Sequence, residues 1–456
     1  MTTGAMGALI LAAGKGTRMY SDRPKVLREL LGEPMLRYVR DALAPLFADR
    51  LFTVIGFGAD AVRAAFAGVA NGWVVQERQL GTGHALQAAW DALRGAGVTQ
   101  VVVVNGDTPL ITQAHVADFA ARAQDADVAF MTLTLAEPGG FGRVVREEGR
   151  IVGIVEAKDY DAARHGPATG EINAGVYCLR LDAVEPLLGG LSPDNNSGEY
   201  YITDLVGMAV ASGLNVVGVS CGHDPCLLGI NSPRELAAAE ALLRGRIVDQ
   251  ALDAGVVIHA PESVRIGPGV VLEPGAELCG PCELYGSTRI ARGAVVMSHT
   301  WVKDSAVGAG SEIRPFSHLD GARVAAGCLV GPYARLRPGA VLEDGSRVGN
   351  FVEMKKAVLG KGAKASHLTY LGDAEIGAGS NIGAGTITCN YDGKNKFKTV
   401  LEENVFIGSN TALVAPVTVG KGALVGAGSV ITKDVPAGQM AIARGKQKNL
   451  PRRREP

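Results

Sequence analysis

The chain has 456 residues, more than one ordinary hydrophobic core accommodates, so its length predicts two or three domains. A formal net charge of -1 gives no electrostatic basis for binding nucleic acid or an acidic membrane surface. The longest early apolar run, 8–13, is far shorter than the ~20 residues that span a bilayer, and no basic segment precedes it as in a signal peptide. Together with seven scattered cysteines, these features predict a soluble cytoplasmic protein without membrane contact.

Short apolar runs alternate with helix-forming stretches in the first half of the chain. The predicted strands are 8–12, 52–55, 101–104 and 128–133, and the predicted helices include 35–46 and 83–93. This alternation predicts an α/β domain with a doubly wound, mostly parallel sheet over residues 1–231. In such sheets, ligands bind beyond the carboxyl ends of the strands.

A glycine-rich loop follows the first predicted strand, and its sequence is Leu11-Ala-Ala-Gly-Lys-Gly-Thr-Arg18. Gly14 and Gly16 allow the backbone to approach an anion closely, and Arg18 and Lys25 add positive charge, so the pattern indicates a phosphate-binding loop. The loop is neither a Walker A motif nor a GxGxxG fingerprint. On its own it would be better explained as a glycine turn with surface bases.

A second polar motif ends the third predicted strand, where Asn105-Gly-Asp107 follows the run 101–104. A carboxylate at a strand's carboxyl end suits Mg²⁺, which takes one or two protein oxygens and completes its shell with water or substrate phosphates. Taken alone, an aspartate here is as often a turn former. Its combination with the phosphate loop makes the magnesium interpretation more specific.

The loop, Pro24-Lys25 and the strand ending in Gly106-Asp107 together resemble the sugar-nucleotide pyrophosphorylases. Further segments extend the likeness: Gln76, 79–85, 142–143, 154–158, 171–173, 199–204 and 229–231. The resemblance implies uridylyl transfer from UTP to N-acetylglucosamine 1-phosphate. By this resemblance, the nucleotide is bound by Leu11, Ala12, Ala13, Gly14 and Lys25, and its uracil is read by Gln76, Gly81 and Thr82. The sugar is held by Gly142, Glu156 and Asn173. The implied Mg²⁺ ligands are Asp107 and Asn231. Arg18 and Lys25 are candidates for stabilising charge on the transferring phosphate.

A helix is predicted to connect the first domain to the second. Residues 233–253 are rich in helix formers, Ser232 is a suitable N-cap, and Pro233 suits the first helical position. We therefore assign 232–254 as a linker and 255–456 as the second domain.

Aliphatic residues recur at every sixth position in the second half. The series comprises Ile266, Leu272, Leu278, Leu284, Ile290, Val296 and Val302, then Val307, Ile313 and Leu319, then Val330, Leu336, Leu342 and Val348, and finally Ile407, Leu413, Val419, Val425 and Ile431. Six residues suit one short strand plus one turn, and three such units close a triangular coil. Coils stacked about 4.8 Å apart bury these side chains, which predicts a parallel β-helix. The interruptions after Val348 and after Ile382 are places where side chains and loops are expected to leave the coil and build a site.

The densest polar motifs of the repeats lie in and around these interruptions: 336–339, 350–356, 367–373 and 381–391. They resemble, almost word for word, the acetyltransferase domain that accompanies the uridylyltransferase in the bifunctional enzymes that make UDP-N-acetylglucosamine. The resemblance runs from about residue 7 to residue 444. It implies a left-handed coil, a homotrimer with sites between neighbouring chains, and a role in supplying precursors for peptidoglycan and lipopolysaccharide.

By this resemblance His367 is the general base that deprotonates the amino group of glucosamine 1-phosphate for attack on acetyl-CoA. The implied phosphate ligands are Arg337 and Lys355, and the implied sugar ligands are Tyr370 and Asn381. Contacts to the acyl group or coenzyme A are implied for Ala384, Asn390, Tyr391, Ser409, Ala427 and Arg444. The basic loop 392–398 is either a solvated face or a binding site for coenzyme A phosphates.

Three other interpretations compete with the bifunctional one. The repeats of a single-function nucleotidyltransferase could serve only to oligomerise it, or the whole chain could be an assembly scaffold, although the phosphate loop argues against the latter. A zinc hydrolyase on the same coil would require His299, His318 and His367 to converge.

Cys279 and Cys282 form a lone CxxC, which packing in the ladder explains better than zinc. The basic tail 452–454 is interpreted as a solvated end.

Overall fold

The computed structural model describes residues 5–20, 22–69 and 72–451, so the basic tail 452–454 lies outside the described residues. The chain forms two compact units, Met1–Leu243 and Arg244–Pro456. The division falls inside the helix Pro233–Asp253, which covers the residues predicted for the connector. Ser232 Oγ accepts a hydrogen bond from the backbone N–H of Glu235 at 3.2 Å, as an N-cap does. Within the described ranges, no helix has the length and hydropathy needed to cross a membrane.

The first unit is built on a mixed sheet. The strands lie side by side in the order Val216–Ser220, Val128–Thr134, Glu171–Arg180, Gln100–Asn105, Met6–Ala12, Leu51–Ile55 and Gly72–Val75. Neighbouring strands pair in parallel except at Glu171–Arg180, which is antiparallel to both of its neighbours. A hairpin of Arg143–Glu147 and Arg150–Val155 adds to this antiparallel strand. The doubly wound α/β fold is thereby confirmed, and the antiparallel strand is a feature that the apolar runs did not reveal.

Helices cover both faces of this sheet. The α-helices of the unit are Met35–Phe47, Ala59–Ala65, Thr82–Gly95, Gln113–Ala123, Ala162–His165, Leu181–Leu188 and Asp204–Ala211, before Pro233–Asp253. Short 3-10 turns lie at Thr17–Met19, Lys25–Leu27, Ala48–Arg50 and Pro225–Leu227, and a small ladder joins Glu29–Leu30 to Glu33–Pro34. Along the first strand, Ala8, Ile10 and Ala12 pack into one core, while Leu9 and Leu11 pack into another on the opposite face. Successive strand residues point to opposite faces, so a strand covered on both sides is an unbroken apolar run.

The second unit is a parallel β-helix of short strands. They are Val257–His259, Val264–Ile266, Val271–Leu272, Glu277–Cys279, Cys282–Tyr285, Arg289–Ile290, Val295–Val296, Thr300–Lys303, Ala306–Val307, Glu312–Ile313, His318–Asp320, Arg323–Val324, Leu329–Val330, Arg335–Leu336, Val341–Leu342, Arg347–Lys355, Val358–Leu359, Lys364–Gly372, Ala374–Ile376, Asn381–Ile382, Ile387–Cys389, Thr399–Leu401, Phe406–Ile407, Ala412–Val414, Val417–Val419, Leu424–Val425, Val430–Ile431 and Met440–Ala441, with a 3-10 turn at Pro261–Ser263.

The predicted aliphatic ladder forms the interior of this β-helix. Leu278 pairs with Val296 and Leu284 with Val302, eighteen residues further along, which is one coil of three six-residue units. The ladder residues are buried except for Leu272 in the first coil, which is partly exposed. The repeat period therefore predicted both the coil length and the core.

The first interruption of the ladder is not a departure from the coil, contrary to our expectation. Between Val348 and Leu359 the chain forms the strand Arg347–Lys355, and Val352 and Met354 remain buried in the interior. Met354 occupies the ladder position, so only the residue type changes. The second interruption does lengthen the coil, because Ile382 pairs with Ile407, twenty-five residues away.

Candidate active sites

A cluster of four polar side chains lies at the carboxyl ends of the parallel strands of the first unit. The Nζ of Lys25 donates to Asp107 Oδ2 at 2.5 Å and to Asn231 Oδ1 at 2.8 Å. Arg18 donates to the same Asn231 oxygen at 3.0 Å. Lys25 is only 8% exposed, so this cation is held in place and not solvated. The structure thus brings together four predicted residues that are separated by more than 200 positions in sequence.

Local backbone geometry sets these positions. Gly16 has a φ of 66°, and a Cβ at this position would lie 2.6 Å from the Cβ of Lys25, so glycine allows the loop to pack on the lysine. Asp107 follows the strand Gln100–Asn105, and its carbonyl accepts from the N–H of Ile230 at 2.8 Å. That backbone bond brings the neighbouring Asn231 next to Asp107.

A cleft of about 440 Å³ surrounds the cluster. Of the predicted nucleotide and phosphate residues, it is lined by Leu11, Ala12, Ala13, Gly14, Arg18, Lys25, Gln76, Gly81, Thr82, Asp107 and Asn231. Gln79, Asn105 and Glu199 also line it, although we gave them no role. All three occur in the motifs that carried the resemblance, so their segments, but not their positions, were indicated by the sequence.

One wall of the cleft is formed at the start of the helix Thr82–Gly95. Gln76 is buried, and its Nε2 donates to the carbonyl of Gly81 at 3.0 Å and contacts His84 Nδ1 at 2.8 Å. Gly81 has a φ of 109°, and a Cβ there would lie 2.6 Å from the carbonyl oxygen of Tyr200. The main chain at Gly81 therefore packs directly against the main chain at Tyr200, and any side chain at position 81 would distort this wall of the cleft.

The three predicted sugar residues form a separate group and do not line the cleft. The N–H of Asn173 donates to the Gly142 carbonyl at 2.9 Å, and a Cβ on Gly142 would lie 3.5 Å from the Glu156 carboxylate. Asn173 also donates from Nδ2 to the hydroxyl of Tyr177 at 2.6 Å. The group is linked to the cleft by Glu199, which lines the cleft and acts electrostatically on Glu156.

Glu156 is a carboxyl group in a mostly buried, acidic environment. Burial raises its pKa above the usual value, the hydrogen bond donated by Thr203 Oγ1 at 3.0 Å opposes that rise, and the nearby charges of Asp204, Asp159 and Glu199 add to it. The contact with Thr203 was not predicted, although Thr203 lies within the motif 199–204.

In the second unit, His367 lies beside Asn350 on the adjacent coil. The two residues are register partners of the strands Lys364–Gly372 and Arg347–Lys355. His367 Nδ1 and Asn350 Oδ1 are 2.7 Å apart. An amide oxygen only accepts hydrogen bonds, so Nδ1 donates in this contact, and in the neutral ring Nε2 then has the free lone pair. His367 is exposed, which leaves that nitrogen accessible.

Basic side chains gather around Lys355, on the strand that also carries Asn350. Arg337 donates to Glu353 Oε1 at 2.7 Å. The ammonium group of Lys396 is the main cause of a lowered pKa for Lys355, and the charges of Arg337 and Lys356 contribute as well. Lys396 belongs to the basic loop 392–398, so the structure brings this loop to the predicted phosphate residues. From the sequence, this loop is either a solvated face or a binding site for coenzyme A phosphates.

Tyr370 and Asn381 belong to neighbouring coils. Tyr370 pairs with Glu353, the partner of Arg337, whereas Asn381 pairs with Lys364 and Phe406. The hydroxyl end of Tyr370 lies 2.4 Å from where a Cβ on Gly372 would be, so glycine makes room for the ring. Both side chains are half-buried.

The residues predicted to contact coenzyme A follow one another along the coil axis. The Ala384 carbonyl accepts from the N–H of Asn410, and the Ser409 carbonyl accepts from the N–H of Gly428. Arg444 then donates to the Ala427 carbonyl at 2.6 Å. Ala384, Ser409, Ala427 and Arg444 therefore form one column on successive coils.

Asn390 and Tyr391 begin the segment that lengthens the coil. Asn390 is buried and donates to Asp373 Oδ2 at 2.5 Å. The Tyr391 side chain is exposed, and its hydroxyl donates to the Gly393 carbonyl at 2.5 Å.

The three histidines of the zinc alternative do not form a metal site. His299 stacks on Phe316, His318 stacks on Trp301, and His367 contacts Asn350. Over residues 5–20, 22–69 and 72–451, the single group of three or more His, Cys, Asp or Glu side chains close enough to share a metal is His259, Glu277 and Cys279.

Comparison with known proteins supports two transferase domains. Residues 8–151 match the MobA-like NTP transferase domain, and residues 398–433 match the bacterial transferase hexapeptide family with six repeats. A protein named "Bifunctional protein GlmU" from Nitratidesulfovibrio vulgaris (strain DSM 19637 / Miyazaki F) is 67% identical over 98% of both chains. Proteins of the same name are 63% identical in Oleidesulfovibrio alaskensis, over 97% of both chains, and 46% identical in Lawsonia intracellularis, over 98% of both.

Proposed function

Because this chain belongs to the GlmU family of bifunctional enzymes, we propose that the cleft around Lys25 and the exposed surface around His367 are its two active sites. The chain is a uridylyltransferase joined to an acetyltransferase. Its second unit acetylates glucosamine 1-phosphate with acetyl-CoA, and its first unit transfers UMP from UTP to the resulting N-acetylglucosamine 1-phosphate and releases pyrophosphate.

The convergence of Lys25, Arg18, Asp107 and Asn231 supports the assignment of the uridylyltransferase site. The sugar phosphate oxygen attacks the α-phosphorus of UTP, and the bond to the pyrophosphate oxygen breaks. This reaction needs positioning and charge neutralisation more than proton transfer. Lys25 and Arg18 stabilise negative charge on the transferring phosphate, while the amides of 11–14 hold phosphate oxygens.

The donor set fits a magnesium ion. The carboxylate of Asp107 and the amide oxygen of Asn231 both contact one ammonium group, so two hard oxygen donors converge on a cationic position. We assign these two residues as Mg²⁺ ligands. When bound, the ion supplies charge neutralisation to the nucleotide phosphates. The Lys25 ammonium group, which contacts both residues, would then be available to the nucleotide phosphates.

Substrate recognition in this unit divides between the wall and the sugar group. Gln76, Gly81 and Thr82 line the cleft with an ordered backbone and one buried amide, which suits the polar edge of uracil. Gly142 leaves room beside Glu156, and both Glu156 and Asn173 offer polar groups to sugar hydroxyls. We therefore assign the sugar to Gly142, Glu156 and Asn173.

We assign His367 as the general base of acetyl transfer. Its Nε2 removes a proton from the amino group of glucosamine 1-phosphate, the nitrogen attacks the thioester carbonyl carbon, and the carbon–sulfur bond breaks. The proton on Nε2 then passes to the departing thiolate of coenzyme A. Asn350 is the positioning residue, because its oxygen holds the ring proton on Nδ1.

The basic surface beside His367 suits a sugar phosphate. Arg337 and Lys355 are the proposed phosphate ligands, and Lys396 adds a third positive charge. A lowered pKa of Lys355 reflects repulsion among these cations, and a bound phosphate relieves that repulsion. Tyr370 and Asn381 are the proposed sugar contacts. The column Ala384, Ser409, Ala427 and Arg444, with Asn390 and Tyr391, is the proposed binding surface for acetyl-CoA.

We also propose a cytoplasmic homotrimer. The rings of Phe316, Tyr333 and Phe351 stack at 4.9 and 5.2 Å along one corner of the coil, each about half exposed, and Leu368 follows beside His367. A continuous exposed apolar column next to a site supports burial against a second copy of the chain. Sedimentation analysis tests this proposal, and a monomer at enzymatic concentrations contradicts it.

The test of the complete function is a one-pot reaction. The full chain is supplied with glucosamine 1-phosphate, acetyl-CoA, UTP and Mg²⁺, and the expected product is UDP-N-acetylglucosamine. N-acetylglucosamine 1-phosphate and free coenzyme A should accumulate when UTP is left out. Absence of the acetylated intermediate, with uridylyl transfer to separately added N-acetylglucosamine 1-phosphate, would favour a single-function nucleotidyltransferase.

A further inference from the structure

Three potential metal ligands meet on the outer surface of the first coils of the β-helix. His259 ends the strand Val257–His259, and Glu277 and Cys279 lie on the strand Glu277–Cys279. The two strands pair in parallel, with Val257 opposite Glu277 and His259 opposite Cys279. Alternate strand residues share a face, so His259, Glu277 and Cys279 lie on the face opposite the buried Leu278.

The ligand atoms of these side chains are already close. The imidazole nitrogen, a carboxylate oxygen and the thiol sulfur all lie within 4.8 Å of one another, and His259 Nε2 is 3.0 Å from Glu277 Oε1. In a tetrahedral zinc site with bonds of about 2.0–2.3 Å, neighbouring ligand atoms are about 3.3–3.7 Å apart. The three ligand atoms are therefore already close to metal-binding separations. The His259 and Glu277 side chains are 60% and 40% exposed, so a metal ion and a water ligand have access.

A simple ion pair does not account for the whole group. An exposed pair of His259 and Glu277 contributes about 0–1 kcal/mol and needs no third partner. Cys279 supplies the soft ligand that distinguishes a zinc site from a surface ion pair. The CxxC motif suggested Cys282 as its companion, but Cys282 is buried in the ladder, whereas strand pairing brings His259 to Cys279.

We propose that His259, Glu277 and Cys279 bind one divalent ion of the zinc class, with water as the fourth ligand. The ion joins the first strand of the β-helix to the next coil. That first strand has three residues and lies at the end of the sheet, where strands are least secured by neighbours. The site is therefore structural, and it does not depend on either transferase reaction.

The test uses the full chain after removal of metals with a chelator, in excess Mg²⁺ so that hard oxygen sites are filled. Co²⁺ is the probe, because a thiolate ligand gives it a charge-transfer absorption that oxygen ligands do not. We expect one equivalent of Co²⁺ per chain at micromolar concentration, displaced by Zn²⁺. Cys279→Ser should remove the absorption, and His259→Ala should weaken binding by more than the roughly 10–100-fold typical of losing an outer partner.

Cys221→Ser is the matched control, because Cys221 is a partly exposed cysteine of the other unit. It should bind Co²⁺ as the unchanged chain does. A full charge-transfer signal in Cys279→Ser, its loss in Cys221→Ser, or no saturable binding at micromolar Co²⁺ would each overturn the proposal. Circular dichroism checks that each variant is folded.

Discussion

The two units place the proposed catalytic groups in opposite environments. In the doubly wound unit, Lys25 is 8% exposed and held by two oxygen partners inside a cleft. On the β-helix, His367 is exposed and Lys355 is partly exposed on the outside of the coil. Parallel strands that end at a common edge create a concave site within one chain. A coil filled by its own aliphatic ladder has no interior to offer, so its site is built on the surface and is completed, in our proposal, by another copy.

The largest expected effect is on the exposed site. His367→Ala should lower acetyl transfer by about 10²–10⁴-fold, because it removes the proposed general base, and leave uridylyl transfer unchanged. The two activities are measured separately, from coenzyme A release and pyrophosphate release. His318→Ala is the control, since His318 stacks on Trp301 elsewhere on the coil. Loss of both activities in a folded His367→Ala protein would contradict two independent sites.

The converse variant tests the buried site. Asp107→Ala should lower uridylyl transfer by about 10²–10³-fold, the range for one preorganised electrostatic group, and leave acetyl transfer intact. Pyrophosphate release is the assay. Asp118→Ala, which removes an exposed aspartate paired with Arg122, should change neither activity. Equal uridylyl transfer by Asp107→Ala and Asp118→Ala would show that Asp107 does not belong to the active site.

The third prediction concerns the Lys25 ammonium group, which contacts both of the proposed Mg²⁺ ligands. Lys25→Met should tighten binding of Mn²⁺, used as a probe for Mg²⁺, by about tenfold or more, because the ammonium group that contacts Asp107 and Asn231 is gone. Uridylyl transfer should fall in the same variant. Free Mn²⁺ is measured by electron paramagnetic resonance.

Lys15→Met is the control for net charge, since Lys15 also lines the cleft. Its effect on Mn²⁺ binding should be smaller than that of Lys25→Met. Equal tightening in the two variants would mean that Lys25 acts only through long-range charge.

At the exposed site, the contact that positions His367 should matter less than His367 itself. Asn350→Ala should lower acetyl transfer by up to about tenfold, since one hydrogen bond of about 0.5–1.5 kcal/mol holds the imidazole tautomer. The loss should appear in kcat more than in the KM for glucosamine 1-phosphate, because Asn350 orients the imidazole and is not assigned a substrate contact. Unchanged kcat would show that Asn350 does not position His367.

Asn350 also shows where sequence reasoning stopped. The six-residue period predicted the coil, its length and its core, because each position depends only on its neighbours in the repeat. The contact between Asn350 and His367 depends on which residues of two neighbouring strands pair. The six-residue period alone did not specify that pairing near Met354, where methionine takes the place of a ladder aliphatic. The antiparallel strand Glu171–Arg180 was missed for a different reason. Its ten residues mix polar and apolar types, so they form no continuous apolar run.

The motifs nevertheless predicted most of the cleft. Glycine positions and strand ends are local signals, so Gly14, Gly16 and Asp107 were found from the residues themselves. Side-chain pairs such as Lys25 with Asn231 join distant segments, and only the resemblance indicated them. The ligand group at His259 was missed because its members come from two coils and form no linear motif.

The smallest expected effect is on stability and concerns Glu156. Burial raises the pKa of this carboxyl above its usual value of 4.5. At a pH below 4.5 the group is protonated in both the folded and the unfolded state and contributes no difference. As pH rises from 4.5 to the higher pKa of the folded state, the unfolded chain ionises first, so the free energy of unfolding decreases. Above both values this cost is fully present.

Glu156→Gln removes the ionisation and keeps a side-chain oxygen that can accept from Thr203. The first unit should therefore unfold at a higher temperature at pH 7 than in the unchanged chain, and the difference should shrink towards pH 4. Uridylyl transfer should weaken through a higher KM for the sugar phosphate. Glu147→Gln, an exposed change in the neighbouring hairpin, should alter neither property. A lower unfolding temperature for Glu156→Gln at pH 7 would mean that the ionised carboxylate stabilises the fold.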